Sequence, residues 1–382
     1  MVIFGTRPEA IKLCPLIQAL RQQSDWETLV CVTAQHRQIL DQVLAAFDVK
    51  PDFDLDLMQP NQTLPALTAR LIARLEKVFS EAHPSLAVVQ GDTTTSLCAA
   101  LCAFYARVPV AHVEAGLRTF DRHEPFPEEM NRVLLGRLAT LHFAATEGAA
   151  ENLRHDGVAH EQIEVTGNTG IDAVLAIRSA LESGRMTNES QFRFHPERKL
   201  IVVTAHRRES FGNEFENICH ALLELSSRAD TQIVWPLHPN PSVQNVARQI
   251  LHENPNILLT EPLDYVPFVD LMRRAYLLIT DSGGIQEEGP SLGKPVLVVR
   301  NKTERHEAIR AGTAKLVGTH QAAIVSEAAR LLDDSVEYAR MARRHNPYGD
   351  GNASARIVRR VAAYLGAQQA EAQRERTRAA TP

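Results

Sequence analysis

Short β-branched runs alternate with helical stretches along nearly the whole chain, and that alternation leaves few folds open. Val2–Phe4, Thr28–Thr33, Leu86–Val89, Pro109–Val113, Leu141–Ala145 and Ile163–Val165 read as strands with helical patterns between them. A polar interval from Leu181 to Lys199 interrupts the series. It resumes with Leu200–Thr204, Gln232–Trp235, Ile257–Leu259, Leu277–Thr280, Pro295–Val299 and Lys315–Val317. Repeated strand and helix make a parallel sheet, because a parallel neighbour needs a crossover long enough to hold a helix. Single cores seldom grow past roughly 250–300 residues, so two series in 382 residues predict two doubly wound α/β domains. The first is expected over 1–167, completed by a C-terminal helix at about 352–366, and the second over 168–351. Residues 367–382 are charged and Ala-rich without an apolar stripe, and are expected to form a disordered tail.

The composition, 44% hydrophobic and 23% charged with a net charge of −5, is that of an enzyme rather than a nucleic-acid binder. No basic excess is available to displace counterions from phosphates. The five cysteines, Cys14, Cys31, Cys98, Cys102 and Cys219, lie in apolar surroundings and read as small buried hydrophobes of a reducing compartment. No apolar stretch approaches the roughly 18 residues that span a bilayer, and no signal peptide precedes the first motif. A cytoplasmic protein without membrane or nucleic-acid partners is expected.

The βα turns carry the chemistry. At Thr280-Asp281-Ser282-Gly283-Gly284 a strand ends and a helical pattern follows from Ile285, so bare backbone N–H groups can approach an anion at the helix start. Gln286, Glu287 and Glu288 are expected in the first turn, where carboxylates suit the macrodipole or accept from ribose hydroxyls. A phosphate cradle beside a sugar-binding carboxylate points to a nucleotide-sugar, although glycine turns after strands also occur for purely structural reasons. Gly5-Thr6-Arg7 brings Arg7 and Lys12 to another helix start, which repels cations unless an anion binds there. Asp92 ends the strand Leu86–Val89 and is either a functional carboxylate or the cap of the next helix. Glu114 closes the following strand, and Glu128 opens a helix behind Pro125 and Pro127. Three carboxylates at one crevice edge are candidates for general acid and base work. From the second series, His206, with Arg207 and Arg208, follows Leu200–Val203, and Arg305 stands in a further basic cluster. No G-x-G-x-x-G fingerprint occurs at any βα turn, which disfavours a bound nicotinamide.

The segments FGTRPEAIK, GDTTTS, HVEAGLRT, PFPEEMNR, TGNTGIDA, TAHRRESFG, TDSGGIQEE, GKPVLV, TERHEA and NPYGDG, in order from Phe4 to about Leu365, resemble the non-hydrolysing UDP-N-acetylglucosamine 2-epimerases. Departures are Gln90, Glu124, Leu263 and His306, where the family pattern has His, Ser, Gln and Pro. The resemblance implies a GT-B-like pair of Rossmann domains, with the substrate in the cleft between them, and a homodimer without metal or redox cofactor. It implies reversible conversion of UDP-N-acetylglucosamine to UDP-N-acetylmannosamine, by elimination of UDP and re-addition to a 2-acetamidoglucal. Catalytic roles would fall to Asp92, Glu114, Glu128 and His206. Arg7, Lys12, Leu263, Phe268, Ser282, Gly283, Gly284, Glu288 and Arg305 would join them in binding the substrate. A second, regulatory nucleotide-sugar site would use Gln35, His36, Gln38, Arg207 and His238. The alternatives are a GT-B glycosyltransferase using a UDP-sugar donor, and an epimerase of a related UDP-HexNAc.

Overall fold

The structure is a computed structural model describing residues 1–382 except 34–36, 58, 60–61, 188–193, 208–210, 253, 344 and 380–382; the side chains of 37–39 and 378–379 are also not described. The chain divides into two units, 1–173 with 349–382, and 174–348.

In the first unit, β1 (Val2–Phe4), α1 (Arg7–Arg21), β2 (Val30–Val32), α2 (Arg37–Ala46), β3 (Phe53–Asp54) and α3 (Leu64–Ala82) come first. They are followed by β4 (Ala87–Gln90), α4 (Thr94–Tyr105), β5 (Val110–Ala115), α5 (Glu128–Leu138), β6 (Leu141–Ala144), α6 (Glu147–His155) and β7 (Ile163–Val165). Among the described residues the sheet has seven parallel strands in the order β3-β2-β1-β4-β5-β6-β7. The order reverses between β1 and β4, and the crevice of a doubly wound sheet opens there, beyond the carboxyl ends. β3 escaped the sequence reading because two residues on an edge carry no alternation to detect.

α7 (Thr169–Glu182) carries the chain out of this unit. The division falls at 173/174, inside that helix, rather than at 167. The buried Asp172 explains the offset, since its carboxylate accepts from Ala353 N at 3.1 Å and Ser354 N at 2.6 Å. An acidic side chain on free N–H groups at a helix start is stabilising, and it holds the first turn of α7 to this unit.

In the second unit, β8 (Lys199–Thr204), α8 (Asn213–Leu225), β9 (Thr231–Pro236), α9 (Pro241–Leu251), β10 (Ile257–Thr260) and α10 (Tyr265–Arg274) lead. Then come β11 (Leu277–Thr280), α11 (Gly283–Ser291), β12 (Val296–Val298), α12 (His306–Ala311), β13 (Ala314–Leu316), α13 (Gln321–Asp333) and α14 (Ser335–Ala342). The sheet order is β10-β9-β8-β11-β12-β13, all parallel, with the reversal between β8 and β11. Trp235 is fully buried and packs at 5.7 Å from the Phe215 ring in a core made mostly of aliphatic side chains.

α15 (Ala353–Ala379) returns to the first unit and corrects the expectation for the C terminus. The helix does not stop near Gly366, and the stretch read as a tail is its exposed continuation. Ala, Gln, Glu and Arg are strong helix formers, so a stretch without an apolar face can still propagate a helix already nucleated by packing. Among the described residues no helix is long and apolar enough to cross a membrane. All five cysteines are buried, and burial pushes Cys14, Cys31, Cys98 and Cys219 up to about 12 and Cys102 to about 11. They pack as hydrophobes, not thiolate nucleophiles.

Candidate active site

In each unit a buried carboxylate staples the two loops that flank the sheet's reversal point. In the first it is Glu9, 1% exposed. Thr6 caps α1 and forms a capping box with Glu9. Glu9 Oε2 accepts from Thr6 N at 2.8 Å, Thr6 Oγ1 at 2.7 Å and Gly5 N at 3.1 Å. Its Oε1 reaches across to the β4–α4 loop and accepts from Thr93 Oγ1 at 2.7 Å and Ser96 Oγ at 3.0 Å. Burial raises the Glu9 pKa, and those hydrogen bonds oppose the rise.

Asp92 lies in the loop that Glu9 holds. The capping alternative fails, because Thr93 is the N-cap of α4 and accepts from Ser96 N. Arg132 donates to Asp92 Oδ2 at 2.8 Å, and Asn131 Nδ2 to the Asp92 carbonyl at 2.8 Å. One carboxylate oxygen is thus pinned, while Oδ1 has no partner among the described residues. Behind it, His112 Nε2 lies 2.7 Å from the Gly91 carbonyl. A carbonyl only accepts, so Nε2 carries the proton.

Glu114 occupies a bulge. Val113 pairs with Phe143 but Ala115 pairs with Ala144, and Glu114 itself has φ +60°. A non-glycine residue in that region costs roughly 1–2 kcal/mol. The distortion carries a 9% exposed carboxylate to the strand end. Lys12 Nζ lies 2.6 Å from both of its oxygens, Asn168 Nδ2 donates to Oε1 at 2.9 Å, and Gln90 Nε2 donates to Oε2. Gln90, a departure from the family pattern, therefore touches the carboxylate directly. Glu128, by contrast, opens α5 half-buried, with no hydrogen bond or ion pair among the described residues. Its neighbour Glu129 is the structural one, accepting from Thr119 N at 3.1 Å, Phe120 N at 3.0 Å and Arg132 Nη1 at 3.0 Å. Arg7, at the first position of α1, likewise has no partner among the described residues. Glu124, another departure, has an exposed side chain without such a contact.

In the second unit the staple is Asp281, fully buried at the end of β11. Its Oδ2 accepts from His206 N at 2.6 Å and Arg207 N at 2.7 Å in the loop after β8. α11 begins at Gly283 with Ser282 as N-cap, so Gln286, Glu287 and Glu288 lie beyond the first turn, not in it. Ser282 makes no side-chain cap, which leaves the first-turn N–H groups of the two glycines open to an anion. Glu287 pairs with Arg305 Nε at 2.8 Å, and Gln286 Oε1 accepts from Thr303 at 2.7 Å. A Cβ on Gly283 would stand 3.1–3.2 Å from three Arg305 guanidinium atoms, so the bare glycine lets that charge lie close against the turn. Glu288 Oε1 would stand 3.6 Å from a Cβ on Gly284, so the side chain reaches back to the same turn. Leu263 and Phe268, both half-buried, follow edge strand β10, Phe268 within α10, the helix that leads back to β11. His238 stacks on His206, ring centroids 5.1 Å apart. Gln35, His36 and the side chain of Gln38 lie outside the described residues.

Two doubly wound units with an anion-ready turn in one and a carboxylate set in the other match a known pattern. The family model described as UDP-N-acetylglucosamine 2-epimerase covers residues 18–362. The chain belongs to that family. It is an enzyme of the isomerase class. A UDP-N-acetylglucosamine 2-epimerase of Escherichia coli K12 is 52% identical over 363 residues, 94% of this chain and 96% of its own. The Neisseria meningitidis UDP-GlcNAc 2-epimerase bound to UDP-GlcNAc superposes with TM-score 0.87 at 44% identity, over 95% of this chain and 99% of that one. The Methanocaldococcus jannaschii epimerase in complex with UDP-GlcNAc and UDP gives 0.76 at 33%, over 95% and 99%.

Glu9, Glu129, Asn168 and Asp281 were not singled out from the sequence. The Thr6-x-x-Glu9 capping box is a legible signal, and Asp281 ends its strand just as Asp92 follows β4. A further consequence concerns His112 and His142, paired across β5 and β6. Burial depresses both rings to about 4. The unfolded rings take up protons near their ordinary value of about 6.5, the folded ones only near 4, so stability is complete above about 6.5 and is lost as pH falls. The loss reaches up to about 3 kcal/mol per ring. Urea midpoints between pH 7 and 4.5 should fall, and His142→Gln should flatten part of the slope; identical slopes in the two proteins would refute the assignment.

Proposed function

We propose that this enzyme interconverts UDP-N-acetylglucosamine and UDP-N-acetylmannosamine by eliminating UDP across C1–C2 and re-adding it to the 2-acetamidoglucal. The C2 proton has no adjacent carbonyl to acidify it, so its loss must be coupled to departure of a leaving group. A base takes the C2 proton, those electrons form the C1=C2 bond, and the C1–O bond pair leaves with UDP. Re-protonation of C2 from the opposite face, with UDP returning to C1, gives the epimer. Traffic on two faces needs two groups. The observation that carries the reading is the unequal state of the three carboxylates. Asp92 has one oxygen open and Glu128 is uncommitted, whereas Glu114 is saturated by Lys12, Gln90 and Asn168. Asp92 and Glu128 move protons in this assignment, and Glu114 with Lys12 positions the sugar. The open turn at Ser282–Gly284, with His206 and Arg305, receives the diphosphate and its growing charge.

Incubation with UDP-GlcNAc alone in heavy water tests it. UDP-ManNAc should form, and recovered UDP-GlcNAc should carry deuterium at C2. A glycosyltransferase would leave C2 untouched, and epimerised sugar without label would exclude elimination. UDP-GalNAc assayed in parallel reads out a related hexosamine preference.

A further inference from the structure

Asp281 is wholly buried, yet its two oxygens are treated unequally. Oδ2 takes the two backbone N–H groups of His206 and Arg207, while Oδ1 has no hydrogen-bond partner among the described residues. A buried acceptor left open costs roughly 1–3 kcal/mol, so its retention needs a reason. Oδ1 faces His206 Nδ1 across 3.4 Å. Among the described residues His206 meets this carboxylate from the β11–α11 loop, the adjacent Arg207, whose Nε donates to the Asp281 carbonyl at 3.1 Å, and His238 from the β9–α9 loop. The His238 ring lies within 9° of parallel to His206. His238 Nδ1 accepts from Asn240 N at 3.1 Å, so that ring is neutral with its proton on Nε2. Burial and then His206 lower the His238 pKa further. Of the stacked pair, His206 is the ring whose Nδ1 faces a carboxylate oxygen.

We propose that Asp281 is a positioning residue that keeps the His206 proton on Nδ1 and stabilises the imidazolium formed when Nε2 takes a proton from solvent beside a nucleoside diphosphate. That ring then donates from Nδ1 to Asp281 and from Nε2 to a phosphate oxygen, offsetting charge as the C1–O bond breaks. No bond from His206 to carbon is made. The diphosphate part rests on the epimerase reading above; the tautomer does not.

The test is the ¹⁵N spectrum of the labelled full chain, with His206 assigned by its loss in His206→Gln, recorded with and without UDP. The free protein should show His206 protonated at Nδ1, and the UDP complex should show both nitrogens protonated. Asp281→Asn keeps an oxygen for the two backbone N–H groups and turns an amide N–H₂ toward Nδ1. Its His206 should be protonated at Nε2 only, with or without UDP, and kcat should fall roughly 10²–10³-fold with an unchanged melting midpoint. An Nε2–H ring in the free wild-type protein overturns the proposal, as does an unchanged kcat in Asp281→Asn. If that variant does not fold, the wild-type spectrum decides alone. A wild-type protein that binds UDP but leaves UDP-GlcNAc unchanged would instead sink the epimerase reading and leave the tautomer assignment standing.

Discussion

Asp92→Asn and Glu128→Gln should each lower turnover of UDP-GlcNAc by roughly 10²–10⁴-fold, the usual weight of a general acid or base. The two variants differ in what else they touch. Glu128 has no partner among the described residues, so its amide should leave the melting midpoint and the affinity for UDP unchanged. Asp92 holds Arg132, which also holds Glu129, so its amide loosens a small network as well as removing a charge. If one group serves each face of C2, a variant lacking only the second-face group still abstracts and returns the proton on the first. UDP-GlcNAc recovered from it in heavy water would be deuterated while little UDP-ManNAc forms. Near-normal kcat in either variant removes that residue from proton transfer, and equal loss of exchange and inversion in both would mean that the pair works on one face.

Gly116→Ala should be the most damaging conservative change in the first unit. Gly116 has φ +89°, and a Cβ there would stand 2.1 Å from the Ala149 carbonyl oxygen and 2.8 Å from its carbon. Backbone, unlike the end of a flexible side chain, cannot step aside cheaply, and Leu153 Cγ at 2.9 Å blocks another direction. Strain and overpacking together should cost roughly 3 kcal/mol or more. That corresponds to about 6–12 °C in the calorimetric midpoint of a domain of 150–250 residues. The loop after Glu114 would also move, so kcat should fall with stability. An unchanged midpoint would show that α6 slides freely on the sheet.

The two-domain α/β architecture was legible because many buried parallel strands are short apolar runs, such as Leu277–Ile279, and many of the turns after them carry glycine or a cap. Asp92 and Glu114 were marked as candidates by position, since a strand's carboxyl end is where such sheets put their ligands, and Glu128 by its place at a helix start behind two prolines. The contacts of Asp92 and Glu114 were not legible, because Lys12, Gln90, Asn168 and Arg132 converge on them from four separate elements or loops. Nor was the start of α11. Two glycines look like a loop, but with Ser282 ahead of them they form a first turn stripped of side chains. The C-terminal tail misled for a related reason: an apolar stripe reports packing, and an exposed extension of a packed helix needs none.

The extra residue in β5 makes this part of the chain behave like a reading frame. Pairing with β6 skips one residue between Val113 and Ala115, and Glu114 fills the gap. Shortening the 113–115 segment by one would let the two strands zip regularly, with Ala115 still opposite Ala144, and would abolish the bulge that turns the Glu114 carboxylate to the strand end. Side chains in this strand can be replaced one at a time, but its length cannot change. A deletion scan should therefore find a sharp inactive position here in a protein that still folds, where a substitution scan shows only graded losses.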